Sequence, residues 1–249
     1  MTALTGSADC ASASLAATRA GWHRVAEHIR AAALYRATGQ IGLVPSPGGF
    51  RTPSFGTDAG FLAVDGTKLV VGGGASTRRT PLSTVRAAAE FAGITPGAPA
   101  GVYEPATPLD LDAPLLIEPG AARLLAQWYG LGAQALSRLA ADIPGDQPTA
   151  PVLWPEHFDV GITAAAINYG ASPGDGHIAD RTCTSARTTG RRRPTRRSGT
   201  PRSGPPAPPA RPAPWPRRRP SSVTAGRGFS PMPRPPPPGG HHESPSATT

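Results

Sequence analysis

Cysteine is scarce in this 249-residue chain, which holds only Cys10 and Cys183. Both lie in stretches whose composition reads as flexible, so neither a disulfide framework nor a cysteine metal cluster is expected. A reducing, cytoplasmic setting is then the default. Long apolar runs are missing too: no stretch approaches the roughly 18 apolar residues of a membrane span. Residues 1–20 are small and polar, without the basic start and apolar core of a signal peptide, and are expected to form a flexible N-terminus. Internal repeats are absent, as are the HExxH spacing of a zinc protease and the Lys-Ser/Thr that would turn Gly72-Gly73-Gly74 into a phosphate loop.

Acidic residues are missing from one end only. Residues 1–180 carry 11 Lys and Arg against 15 Asp and Glu, whereas residues 181–249 carry 14 Arg and the single acid Glu243. The basic pI of about 10.9 therefore belongs to the tail. That tail also holds 17 of the 32 prolines, and its few apolar residues, such as Trp215, Val223 and Phe229, are too sparse to offset the entropy of ordering it. The composition predicts a disordered Pro/Arg-rich tail over 181–249 and a folded domain over 21–180. Any affinity of such a tail for nucleic acid is expected to be nonspecific and salt-sensitive. His241-His242 belongs to the same text and takes no metal assignment.

Within the domain, Trp22, Val25, Ile29, Ala32 and Ala33 recur at helical spacing, with Arg24, Glu27 and Arg30 on the other side, and Gly39 is placed to stop the helix. Residues 40–44 read as a short strand. Residues 61–64 and 68–71 flank Asp65-Gly66, a hairpin signal, and 76–80 supply a third strand. Ser83 is placed to cap a helix reaching Ala92. Pro119 suits the first turn of a longer helix, on which Leu124, Trp128, Leu131, Ala135 and Leu139 form one apolar stripe. Phe158, Val160 and Ile162 alternate with Asp159, Gly161 and Thr163 as a strand with one buried face, entered at Pro155. This order predicts an α+β fold of antiparallel strands and packed helices.

After Asp180 the expected partner strand fails to appear. The codons of Arg, Pro, Gly, Ala, Ser and Thr are rich in G and C, as is a GC-rich gene read out of frame. Regrouping the codons of residues 181–187 by one base is compatible with PYVYVGP, an alternating strand. The same shift permits FWNAPFGA from residues 197–205 and an Ala-rich run ending in FFRDGR around 216–227. Loss of one base after the Asp180 codon would produce the observed text, leaving a C-terminal strand and helix missing.

The segments LWPEHFD at 153–159, NYGASPGD at 168–175, RATGQIGLVPSPGGFRTPSFG at 36–56 and VYEPATPLDLDAPL at 102–115 resemble an uncharacterised family of high-GC actinobacterial proteins. Its members continue with a PYxYVGP strand and an FWNAPFGA segment. The resemblance spans residues 22–180 and implies no activity.

Glu156, His157, Asp159, Asp175, His177 and Asp180 have the residue types of a metal or acid-base site. Were the two loops to meet, His157 and His177 could serve as ligands, with one of the carboxylates of the cluster completing the set. Alternation alone also places His157 and Asp159 on one face, so hydrogen-bonded loop residues are the preferred reading. The expectation is a non-catalytic ligand-binding or interaction domain of unknown partner, with no cofactor. The alternative is a metal-assisted, hydrolase-like enzyme using His157, Asp159, Asp175 and His177.

Overall fold

The computed structural model describes residues 5–174 and 181–187. Its first 34 described residues are helical almost without interruption: α1 (Thr5–Val25), a π-helical segment (Ala26–Ala31) and α2 (Ala32–Thr38). Gly39, at φ 71°, ends α2 in the left-handed conformation that a residue without Cβ adopts freely. The expected flexible N-terminus is therefore corrected over residues 5–20. Ala-rich text suits a helix, and two residues tie it down. Leu15 packs against the core, and the buried Thr18 hydroxyl accepts a 2.9 Å bond from the Glu118 N–H.

Strands β1 (Val44–Ser46), β2 (Gly49–Arg51), β3 (Phe61–Asp65), β4 (Lys68–Gly73) and β5 (Ser76–Pro81) form an antiparallel meander in sequence order. The expected hairpin is present one residue later than its signal: Asp65 ends β3 opposite Lys68, and Gly66 and Thr67 make the turn. The strand expected at 40–44 is displaced: Pro47-Gly48 turns the β1–β2 hairpin, and Leu43 instead bridges Leu153 through two 2.9 Å backbone bonds. Helix α3 (Val85–Ala92) is capped by Thr84, whose side chain accepts from Ala87 N–H at 3.1 Å. Ser83 serves otherwise, its carbonyl accepting from Leu115 N–H.

Helix α4 (Pro119–Asp142) starts on proline as expected, and the Glu118 carboxylate caps the free N–H groups of Gly120 and Ala121. Its apolar stripe is corrected. The buried residues are Ala121, Ala122, Leu125, Ala126, Tyr129, Gly132 and Leu136, while Leu124 and Leu131 are 49% and 62% exposed. Small residues win the inner face because they let the helix approach the second sheet: a Cβ on Gly132 would stand 2.8 Å from that of Ala171.

That second sheet is antiparallel, in the order β6 (Val152–Trp154), β7 (Asp159–Ala164), β8 (Ile167–Ser172) and β9 (Thr182–Arg187). Pro155 follows β6 in the turn that leads to β7, rather than entering a strand at Phe158. Strand β9 corrects two expectations, since residues 181–187 are not a structureless start of the tail and the strand position beside β8 is filled. The reason is that an antiparallel ladder is made by backbone groups, which any residue but proline can supply. The rest of the expected disordered tail, and the expected absence of a last helix, lie outside the described residues.

The core gathers where the elements meet. Trp22, Phe50, Phe158 and Tyr129 pack edge to face in a chain with centroids 5.4–5.6 Å apart, joining the first helix, the first sheet, the β6–β7 turn and α4. The Tyr129 hydroxyl donates to the Phe158 carbonyl at 3.0 Å. Buried aromatic contacts of this kind add to area burial.

Candidate functional site around the pi-helical segment

Chemistry-bearing residues are buried on the π-helical segment, where the widened turn changes the phase of the helix. Glu27 and Arg30, expected on a polar outer side, are fully buried, and His28 is nearly so. The cover comes from strand β3 and from residues 103–107. The Glu27 carboxylate accepts 2.8 Å bonds from the N–H groups of Ala106 and Thr107 and a further bond from the Thr107 hydroxyl. Burial raises its pKa, against the pull of those donors. His28 Nε2 lies 3.0 Å from the Thr107 carbonyl, so this nitrogen carries the proton, and burial lowers the pKa of the ring. Arg30 donates to the Leu62 carbonyl and lies 4.9 Å above the Phe50 ring. Burial depresses its pKa strongly.

One turn earlier, His23 Nε2 donates to the Pro155 carbonyl at 2.8 Å, and the ring stacks on Phe158 at 4.8 Å. Burial pushes its pKa down to about 4, so the ring is neutral at physiological pH. Pro155 opens the turn that carries the residues singled out from sequence. Glu156 is buried there, and its Oε2 has no hydrogen-bond partner among the described residues. Burial, assisted by the charges of Asp159 and Glu27, raises its pKa to about 7. Tyr103 belongs to the same neighbourhood: burial first, then the charges of Glu27 and Glu156, push its hydroxyl upward. Phe158 holds a left-handed φ of 54°, a strained conformation for a bulky residue that fits a tightly determined turn.

His157 and Asp159 are both half-buried in this region, two positions apart at the start of β7. Asp175, His177 and Asp180 lie outside the described residues, so the structure brings together Glu156, His157 and Asp159 alone of the expected set. Among the described residues no group of three or more His, Cys, Asp or Glu is placed to hold a metal ion. Sequence reasoning missed His23, Glu27, His28 and Tyr103. The available signal was the presence of Glu27, His28 and Arg30 in an otherwise Ala-rich apolar helix.

Chemically, most of this cluster is engaged with backbone. Glu27 and His28 fasten residues 106–107, and His23 fastens the β6–β7 turn. Glu156 is the group able to exchange a proton near neutral pH. Two surface grooves lie elsewhere. One of about 400 Å³ is lined by Arg86, Ala89, Glu90 and Leu111 among others. A second, of about 550 Å³, runs between α2, strands β3 and β4, and residues 92–95, with Ala33, Ala37, Phe55, Phe61 and Ile94 in its walls and Arg36 beside them. Comparison of the chain with protein-family models, with curated proteins and with solved structures finds no match.

Proposed function

We propose that this is a non-catalytic binding module, acting in the cytoplasm, that takes an apolar ligand group in the groove between α2 and the first sheet. The groove carries this reading. Its volume of about 550 Å³ falls in the range of small-molecule sites, roughly 300–1,000 Å³, and such sites are mostly apolar with few polar groups. The buried polar cluster supports it from the other side, because Glu27, His23 and His28 hold backbone in place instead of facing an opening. No helix among the described residues is long and apolar enough to cross a membrane.

Octanoate is a suitable probe, an apolar chain with a carboxylate able to reach Arg36. Titration should shift the amide resonances of Ala37, Phe61 and Ile94, and Ala37→Trp, which fills the groove, should abolish those shifts while leaving the melting temperature unchanged. Saturable binding that survives Ala37→Trp, or an absence of shifts at these residues, would overturn the assignment.

One observation favours the enzymatic alternative, a metal-assisted hydrolase using His157, Asp159, Asp175 and His177: the neighbouring Glu156 carboxyl titrates near 7, in the range a general acid or base requires. Metal analysis separates the readings. Stoichiometric bound zinc, lost in both His157→Ala and His177→Ala, would favour the enzyme.

A further inference from the structure

Arg30 is a cation buried without a counter-ion. It is fully buried, and among the described residues it forms no ion pair with a carboxylate. Its Nη1 donates to the Leu62 carbonyl and its Cζ lies 4.9 Å above the Phe50 ring, but Nε and Nη2 are buried with no hydrogen-bond partner among the described residues. Glu27, three residues earlier, gives its carboxylate to Ala106 and Thr107 instead. Taking a guanidinium out of water costs free energy that one carbonyl and one ring face offset only in part. Buried polar atoms are hydrogen-bonded as a rule, so two unpaired donors on one buried cation point to an anionic acceptor.

The fold places this guanidinium at the inner end of the groove beside α2. Arg30, Ala33 and Ala37 fall at i, i+3 and i+7, one stripe running from the π-helical segment along α2. Ala33 and Ala37 line the groove, and so does Leu62, whose carbonyl receives Arg30. Thr52, also fully buried, holds the Leu62 backbone twice: its N–H donates to the carbonyl at 2.9 Å, and its hydroxyl accepts from the N–H at 3.1 Å. The hydroxyl's own proton is not used in that bond. Donors from Arg30 and Thr52 thus gather about Leu62.

The other arginine of the groove, Arg36, is exposed and donates to the Thr95 carbonyl at 2.6 Å. Water screens a charge at that position, whereas a charge-assisted hydrogen bond strengthens where water is excluded. An anionic head group therefore gains most at the inner end, and its tail then runs outward between Ala37, Phe55 and Ile94.

We propose that the ligand of this groove is an amphiphilic anion, an apolar chain carrying a carboxylate, bound head-first with the carboxylate on Arg30 and the tail along α2. This deepens the binding-module reading and rests on it. Arg30 has no exposed surface, so the head group reaches it by parting Ala33 from Leu62, which are 8% and 4% exposed.

The test titrates the full chain with sodium octanoate and, separately, with 1-octanol, which has the same tail without the charge. Octanoate should bind about tenfold more tightly or better, the factor expected of a hydrogen bond to a charged group. It should also shift the Arg30 Nε–H resonance, which octanol leaves in place. Arg30→Met removes the charge and keeps an unbranched side chain, so it should bring the two affinities together, while Arg36→Met preserves the preference. A preference abolished by Arg36→Met and kept by Arg30→Met would overturn the proposal, placing the head group at the mouth of the groove. So would equal affinities in the unmodified chain, or an Arg30 Nε–H resonance that octanoate does not move; shifts at Ala37, Phe61 and Ile94 would in either case leave the groove itself standing. Absence of those shifts with both probes would sink the groove and this proposal with it. The Arg30 Nε–H signal is read in the unmodified chain, so the test decides even where Arg30→Met fails to fold.

Discussion

Strands β5 and β9 each close one side of a sheet, each is six residues long, and each is paired along its whole length with the strand before it. They differ in what else holds them. From β5 the chain passes directly to Leu82, 6% exposed and bonded through its N–H to the Thr67 carbonyl, and then into the capped helix α3. Arg78 of β5 lies 4.8 Å above the Phe91 ring of α3 and donates to the Phe91 carbonyl. Strand β9 has its ladder, the Arg181 contact with Trp128, and an exposed α4-facing side. Backbone pairing tolerates almost any text, whereas side-chain cover requires a particular one. TCTSAR can therefore occupy the slot beside β8 without filling the space beside α4.

The largest effect is expected where both sheets share one contact. Phe158 touches Phe50 of the first sheet, Tyr129 of α4 and the His23 ring. Phe158→Ala should cost about 3–5 kcal/mol, the range for aromatic truncation in a core. Calorimetry should show one transition moved to lower temperature. Two separated transitions would mean that the sheets fold independently and that their edges cannot be compared within one cooperative unit.

Next in size, Leu82→Ala should cost about 2–4 kcal/mol by opening the corner where β5 passes into α3. The matching change at the other edge, Ser185→Ala, should shift stability by about 0.5 kcal/mol or less, because the position is exposed. Urea denaturation of the pair measures the difference directly. Similar losses from both would remove the contrast between the edges.

The buried cluster of Glu27, His28, His23 and Glu156 is shared by the whole fold, and its titration gives a pH profile. The Glu156 pKa is raised from 4.5 to about 7. The folded form holds a proton that the unfolded form releases, so this stabilisation is full below pH 4.5 and lost as pH rises through 7. The pKa of His23 is lowered from 6.5 to about 4. Its contribution is full above pH 6.5 and lost as pH falls through 4. The two slopes oppose one another between 4.5 and 6.5, so stability should be nearly level there and decline on either side. Glu27 adds to the alkaline decline and His28 to the acidic one. Glu156→Gln should remove most of the alkaline decline, about 0.7 kcal/mol between pH 6.5 and 7, and turn the level stretch between 4.5 and 6.5 into one that rises with pH. Thermal melts from pH 4 to 8 check it, and an unchanged alkaline limb in Glu156→Gln would exclude this carboxyl as its source.

The parts of the fold legible in the sequence were those with a local chemical cause. Gly66 turned the expected hairpin, with Thr67 and not Asp65 beside it, Pro119 opened α4, and Gly39 closed the first run of helix. The β7–β8 hairpin was hidden because its turn is Ala165-Ala166, with φ of 46° and 63°, where glycine or asparagine is the usual signal. The buried stripe of α4 was misread because size was weighed over approach: the Leu residues are conspicuous, but Gly132 sets the helix against Ala171. Of the site, Glu156, His157 and Asp159 were visible as a sequence cluster. Glu27 and His28 were not, since their partners lie 79 or 80 residues away on a Pro-rich crossing segment whose path no periodicity reports.

The smallest predicted effect bears most directly on the two edges. Cys183 and Ser185 face α4 but reach no cover, so replacing both with Val supplies apolar surface to a corner that already exposes Leu124 and Leu131. Valine also suits a strand better than serine does. The gain should be modest, about 1 kcal/mol, because with the rest of the present tail unchanged the new side chains remain partly wet and only a fraction of full burial is realised. Thr182→Val with Thr184→Val is the control: the same propensity is added to the same strand on the opposite face, away from the α4 stripe. A stabilisation confined to the 183/185 pair would show that β9 lacks cover on its α4 side and not strand-forming residues in general. Equal gains from both pairs would reduce the difference between β5 and β9 to β-propensity, and a loss from the 183/185 pair would mean that the corner has no room for larger side chains.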